Sequence, residues 1–224
     1  MTEMAVVNNS ERTYLPAAGR DLFLPFYDVV TKVLGADKAR RALLNHTHLR
    51  PGDRVLDIGC GTGTLAIELK QDFPGVEVVG LDPDPRALGR AKRKAQRAGI
   101  IVEFHQGFAD TLPYPSNSFD AVFSSFMFHH LETDVKERTL REVQRVLKPG
   151  GRLHLLDFEV RESASGHSHM QLFHSHKRLK DNTETRIVAL LSEAGLAAAK
   201  KVGSRSAMLG LARVGYYDAV RLNL

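Results

Sequence analysis

The sequence predicts a doubly wound α/β fold: a mostly parallel sheet of seven strands with helices packed on both faces. Three observations carry this. Strand-type and helix-type segments alternate through residues 55–194, the pattern of a sheet whose parallel strands are joined by helical crossovers. At 55–63 a run of strand-forming residues passes into three glycines and then into a helical pattern. Finally, 224 residues with 43% apolar and 25% charged side chains suit one well-buried domain.

The first strand is predicted at 55–58 and the helix after it begins at Thr64 and runs to 69. The second strand is predicted at 76–81. In the next helix Ala87, Leu88, Ala91, Ala95 and Ala98 recur at helical spacing, with Arg86, Arg90, Lys92, Arg93, Lys94 and Arg97 on the other face. With no aromatic residues between these cations, and a net charge of +5, this reads as a solvated helix face and not a polyanion site. Strands three and four are predicted at 101–105 and 121–124. A helix over 133–147 follows, with Val135, Leu140, Val143, Val146 and Leu147 on one side, ended by Lys148-Pro149-Gly150-Gly151. The fifth strand is predicted at 153–158 and a last helix at 183–194, with Asn182 as candidate N-cap and Gly195 as stop signal. Segments 199–202 and 209–218 supply a closing strand pair.

Two segments stand outside the alternation. Residues 1–50 carry Phe26, Tyr27, Val30, Val33 and Leu34 at helical spacing and a short helix over 37–45; residues 159–181 separate the fifth strand from the last helix. Ligands of open α/β sheets bind beyond the carboxyl ends of the strands, so both segments are expected to fold over that mouth as a lid within a single domain, 1–224. The core is then 51–158, and 182–224 is a C-terminal helix and strand pair.

No apolar run approaches the roughly 20 residues that span a bilayer, and the N-terminus lacks the charged-then-apolar layout of a secretory signal. Cys60 is the only cysteine, so no internal disulfide forms, which fits a reducing cytoplasm. Its thiol reads as a small packing group in the glycine loop.

That loop, Asp57-Ile58-Gly59-Cys60-Gly61-Thr62-Gly63, is the chief functional signal. A strand turning sharply into a helix leaves backbone N–H groups unpaired, and glycines let a ligand approach where a Cβ would collide. The spacing is G-x-G-x-G, whereas a dinucleotide fingerprint reads G-x-G-x-x-G. The second strand ends at Asp82-Pro83, about 20 residues further on, where a carboxylate can accept hydrogen bonds from both hydroxyls of a ribose. Asp82 reads alternatively as a helix N-cap. A third element, Gln106-Gly107-Phe108-Ala109-Asp110-Thr111-Leu112-Pro113-Tyr114-Pro115, leads through Asn117-Ser118-Phe119-Asp120 into the fourth strand.

The glycine string resembles motif I of the class I S-adenosylmethionine (SAM)-dependent methyltransferases. The 106–120 run and Lys148-Pro149-Gly150-Gly151 resemble the corresponding motifs of the ubiquinone/menaquinone-type enzymes, so the likeness covers residues 50–158 in family order. It implies a Rossmann-like sheet with its last strand antiparallel, SAM as cofactor, S-adenosylhomocysteine as product, and a small organic acceptor. It also implies that Gly59, Cys60, Gly61 and Gly63 line the methionine and ribose and that Asp57 orients the amino group. Asp82 would hold the ribose, Pro83 border the adenine, Ala109 offer its backbone to the ring, and Ser124 close the methionine end. Phe108 stands where relatives often place an aspartate near the adenine amine; Asp110 replaces it, or the Phe108 ring meets the base.

The acceptor is expected after the fourth strand, at Phe126-Met127-Phe128-His129-His130-Leu131. The N/D-P-P-Y/F run of amino-methyltransferases acting on nucleic acid is absent there, which argues against nucleic acid as partner. His129 and His130 are the candidate bases, since imidazole titrates near neutral pH; each reads equally as a packing or capping side chain. Phe126, Phe128, Tyr14 and Tyr27 are candidate acceptor contacts, which favours an aromatic or apolar molecule. His167, His169, His174 and His176 lack a completing carboxylate or cysteine, so no metal is expected. A homodimer stays open. The alternatives are an NAD(P)-dependent oxidoreductase, which wants a later third glycine and a hydride-transfer pair, and a non-catalytic SAM-binding scaffold.

Overall fold

The computed structural model describes residues 36–160, 182–207 and 212–223. Helix α1 (Ala36–Asn45) precedes β1 (Arg54–Ile58), α2 (Thr64–Asp72), β2 (Glu77–Asp82), α3 (Pro85–Arg97) and β3 (Glu103–Gln106). The chain continues through β4 (Phe119–Ser125), a 3-10 turn (Phe128–His130), α4 (Thr133–Val146), β5 (Leu147–Glu159), α5 (Glu184–Glu193), β6 (Leu196–Ala207) and β7 (Ala212–Arg221). The sheet order is β3-β2-β1-β4-β5-β7-β6, with β7 antiparallel to both its neighbours. The expected architecture, including the reversed last strand, is therefore present.

Alternating side chains send each strand into two apolar layers. Val55, Val78 and Phe123 face the layer that packs on α1, α2 and α3 through Leu43, Leu65 and Ala91. Leu56, Val79 and Val122 face the layer that packs on α4 and α5 through Val143, Ile187 and Leu190. Each such fully buried aliphatic side chain contributes about 1.5–3 kcal/mol, and the central strands are held rigid from both faces. Among the described residues no helix is long and apolar enough to cross a membrane.

Several boundaries differ from expectation. Ile101 is 83% exposed and outside β3, because Gly99 at φ 67° closes α3 in a left-handed turn whose far side carries Ile101. Lys148–Gly151 does not separate two elements: β5 starts at Leu147, which pairs Phe119 before a register shift brings Arg152 opposite Ala121. The α5 N-cap is Thr183, whose side chain accepts from the Arg186 N–H; Asn182 is buried and donates to the Phe158 carbonyl instead. Of the closing strands, β6 runs longer than expected, and β7 keeps its expected length but lies three residues further along. Most of the 1–50 and 159–181 lid segments, with Tyr14, Tyr27 and the four histidines between 167 and 176, lies outside the described residues.

The strand order reverses between β1 and β4. There the connections leave the sheet in opposite directions and open a crevice at the carboxyl ends, the usual ligand position of this architecture.

Candidate functional site

The crevice floor is the glycine loop. The N–H groups of Gly59 and Cys60 both donate to the Leu81 carbonyl, at 2.8 and 3.0 Å, tying the turn to β2. All three glycines have positive φ, and Gly63 begins α2 with no side-chain cap. A Cβ on Gly59 would sit 2.2 Å from Met127 Cγ, and one on Gly63 2.8 Å from Ala91. Gly61 differs: a Cβ there meets nothing within 4 Å, so its close-approach face opens into the crevice.

Two carboxylates flank the loop. Asp82 is held by the Gly61 N–H on Oδ2 at 2.8 Å and the Asp84 N–H on Oδ1 at 2.9 Å, leaving lone pairs on both oxygens. Burial raises its carboxyl to about 6 against those donors. The α3 N-cap is Asp84, accepting from the Arg86 N–H, so the capping alternative for Asp82 falls away. Asp57 lies between Gly80 and Phe123 in the ladder and is 1% exposed, with no hydrogen-bond partner of normal geometry on either oxygen. Burial and the nearby Asp82 charge push its carboxyl to about 8, while Arg40 and the Ala66 backbone offset this only in part. A buried carboxylate with both oxygens unsatisfied fits a cationic group supplied from outside the chain. Arg40, from α1, reaches the same end of β1 and lies 3.6 Å from Glu68 of α2. Cys60 is buried, and burial together with the Asp57 and Asp82 charges pushes its thiol well up, leaving it a packing group.

The side wall follows β3. The Gly107 N–H donates to the Asp82 carbonyl and Gln106 Nε2 to the Pro83 carbonyl, joining the two strand ends. Phe108 and Ala109 are half-buried on the turn that follows. Asp110 is paired with Arg138 of α4, so its carboxylate is already engaged. The Leu112–Tyr114 stretch is pinned from α4: Leu112 N–H donates to Glu142, and Arg145 donates to the Tyr114 carbonyl. Ser124, at the end of β4, is buried with its Oγ unpartnered.

The last wall follows β4. Phe126 adopts φ 55°, its N–H donating to the Leu156 carbonyl, and Met127 then packs against Gly59. This brings the 3-10 turn beside the glycine loop. His129 is 2% exposed; its Nδ1 is 2.6 Å from Asp157 Oδ1, and its backbone N–H donates to Oδ2. Burial pushes the Asp157 carboxyl up, but the His129 charge and hydrogen bond, with the Phe158 and His129 N–H groups, hold it below the usual carboxylate range. In the neutral form of the ring, with Nδ1–H given to Asp157, the acceptor lone pair of His129 is on Nε2. The His130 ring lies 4.0 Å from that of His129, and Phe158 meets His129 edge-on at 5.0 Å and Phe126 at 5.2 Å. Phe128 is a core side chain, packed under Lys136 Nζ at 5.3 Å, whereas Phe126 is half-buried against the opposite core layer.

Asp57, the glycine loop, Asp82, Pro83, Phe108, Ala109, Ser124 and the His129 turn all lie at the carboxyl ends of β1, β2, β3 and β4 or in the turns that follow them. Asp157, Arg40 and Glu68 were not singled out in the sequence. Asp157 had a usable signal, a carboxylate at the carboxyl end of a predicted strand; the other two sit in ordinary amphipathic helices. Among the described residues no group of three or more metal-ligating side chains occurs.

Residues 55–151 match a family described as a methyltransferase domain. A demethylmenaquinone methyltransferase of Thermus thermophilus is 42% identical over 137 residues, 60% of this chain and 61% of that protein. Its namesake in Deinococcus radiodurans is 44% identical, over 60% of this chain and 56% of that protein. The chain thus spans somewhat more than half the length of these curated relatives. The solved structure of Haemonchus contortus phosphoethanolamine N-methyltransferase 2 with S-adenosyl-L-methionine superposes with TM-score 0.76 at 19% identity, covering 98% of this chain and 61% of that one, a likeness of fold.

Proposed function

From the match of residues 55–151 to the methyltransferase domain family, we propose that this chain transfers the methyl group of SAM to a small organic acceptor. One observation carries the reading: two buried carboxylates at the ends of neighbouring strands, Asp57 and Asp82, flank a loop whose central glycine faces open space. Asp82 accepts the ribose hydroxyls and Asp57 the methionyl ammonium. Gly59, Cys60, Gly61 and Gly63 line the chain between them. Pro83, Phe108 and the Ala109 backbone border the adenine, and Ser124 closes the methionine end.

SAM supplies a methyl group activated on a sulfonium; the chain's contribution is alignment and proton handling. Holding an acceptor in line with that methyl supplies several kcal/mol of the barrier, on the order of what fixed intramolecular geometry achieves. His129 takes the acceptor's proton at Nε2, with Asp157 fixing its tautomer and ring orientation. Phe126 and Phe158 favour an aromatic or apolar acceptor, and the similarity to demethylmenaquinone methyltransferases makes a reduced naphthoquinone the first to try. The enzyme works in the cytoplasm on a small molecule and not on nucleic acid. The family match favours this over an NAD(P)-dependent oxidoreductase.

The test is calorimetric titration with S-adenosylhomocysteine and NADH, followed by turnover of labelled SAM against naphthoquinols, phenols, amines and thiols with mass-spectrometric detection. Binding of the first nucleoside alone, with methylation of a quinol or phenol, supports the reading; NADH binding instead refutes it.

A further inference from the structure

We propose that the outward face of α3 is a docking surface for an anionic lipid bilayer, held by the row Arg86, Arg90, Arg93 and Arg97 and by the bare side chain of Ile101. The surface stands apart from the crevice, and the docking does not depend on the methyl-donor reading above. Spacing alone reads these cations as a solvated face; the structure adds three features that a solvated face does not need.

The first is the sign of the charge. Helix α3 (Pro85–Arg97) carries six cations and no carboxylate. Arg86, Arg90, Arg93 and Arg97 follow each other at steps of four, three and four, one helix face in a row about 16 Å long. Like charges at these steps destabilise a helix. The solvated face of α4 is built the other way: Arg138, Arg141 and Arg145 each pair with a carboxylate three or four residues earlier.

The second is the lack of compensation from the rest of the fold. Lys94 turns inward and donates to the Thr62 and Thr64 hydroxyls. Among the described residues, no carboxylate is ion-paired with Arg90, Lys92, Arg93 or Arg97. Arg86, Lys92, Arg93 and Arg97 are exposed. At Gly89, between Arg86 and Arg93, an added Cβ would meet only Arg93 Nη1, at 3.6 Å. No core contact therefore calls for the glycine, and the face is flat between the two arginines.

The third is Ile101, which is 83% exposed. It lies beyond the left-handed turn at Gly99, four residues after Arg97, while Ile100 and Val102 on either side pack against the core. A row of guanidiniums that ends in a bare aliphatic side chain fits a bilayer surface: head-group phosphates take the arginines and the isoleucine enters the acyl boundary. A nucleic acid offers phosphates but no apolar phase for Ile101. The benefit of such docking rests on the acceptor reading above, since an apolar quinol collects in lipid and a chain held at that surface works where its acceptor is concentrated.

The experiment is sedimentation with vesicles. Wild-type protein should pellet with phosphatidylcholine and phosphatidylglycerol mixed about three to one, and stay in solution with phosphatidylcholine alone. Raising the salt from about 0.1 to 1 M should release most of it, because the Debye length falls from about 10 to 3 Å. The triple variant Arg90→Gln, Arg93→Gln, Arg97→Gln should bind about tenfold or more weaker, and Ile101→Ser about threefold weaker. Both should melt no lower than wild type and keep its affinity for S-adenosylhomocysteine, so failure of the docking surface and failure of the donor reading are told apart. No pelleting with the anionic vesicles, unchanged binding in either variant, or a DNA duplex bound more tightly than the vesicles overturns the proposal.

Discussion

His129 and Asp157 are joined by a 2.6 Å hydrogen bond although 28 residues separate them, and both side chains are buried. The contact exists because β4 and β5 are adjacent and parallel: the 3-10 turn beyond one strand falls beside the carboxyl end of the other. Asp157 accepts from His129 Nδ1, the His129 N–H and the Phe158 N–H, so the carboxylate cannot turn without losing all three. The imidazole is thereby locked in one tautomer.

Asp157→Asn can satisfy the same space but offers an amide in place of a charge. It should lower kcat by about 10–100-fold and leave the KM for SAM unchanged, since the effect is on proton transfer and not on donor binding. Rate measurements across pH with a quinol acceptor check this; Asp157→Glu should restore part of the rate. Because the folded carboxyl of Asp157 lies below its unfolded value of about 4, it adds stability that is present above that value and lost as acid protonates it. The variant should therefore show a shallower loss of stability on the acid side in urea titrations.

Asp57 carries the opposite sign. Its folded carboxyl is raised to about 8, so between the unfolded value and that point the folded, unliganded protein holds a proton that the unfolded chain has released. The group therefore costs stability increasingly as pH rises through this window. Asp57→Asn should stabilise the unliganded protein by on the order of 2 kcal/mol above about pH 8 and by almost nothing near pH 4. Binding of the methionyl ammonium needs the ionised carboxylate, so wild-type affinity for S-adenosylhomocysteine should rise from about pH 6 to 8 with proton release, and the variant should bind weakly and without that slope.

The glycines separate packing from function. Gly59→Ala drives a Cβ to 2.2 Å from Met127 Cγ at a φ of 67°, and should cost on the order of 2 kcal/mol in thermal melts. Gly61→Ala has φ 52° and open space, so the fold should lose only about 1 kcal/mol while affinity for S-adenosylhomocysteine falls about tenfold or more, because the added methyl occupies the crevice.

What the sequence made legible was local. The buried Ala87, Leu88, Ala91 and Ala95 of α3 show in a single-helix periodicity, and β1 with its glycine loop is a contiguous signal. The Asp82 position needed only the spacing between two such signals. Asp157 with His129, and Arg40 with Glu68, are contacts between elements, and no periodicity within either element encodes the partner. The exchange of Asn182 for Thr183 as N-cap has the same origin. Both residues are capable caps, and the choice is made by Lys136 Nζ and the Phe158 carbonyl, which claim the Asn182 side chain. Phe128 and Phe126 differ by two residues, yet the left-handed backbone at Phe126 alone turns the run so that one ring packs inward.

The central claim, that one adenosyl sulfonium spans from Asp57 to Asp82 across the glycine loop, is tested most directly by titrating S-adenosylhomocysteine into wild-type and Asp82→Asn protein. One nucleoside should bind per wild-type chain, and affinity should fall about tenfold or more in the variant, which keeps the shape but loses the charged acceptor for the ribose hydroxyls. Unchanged affinity in a folded Asp82→Asn variant, or no binding to wild type, would contradict it.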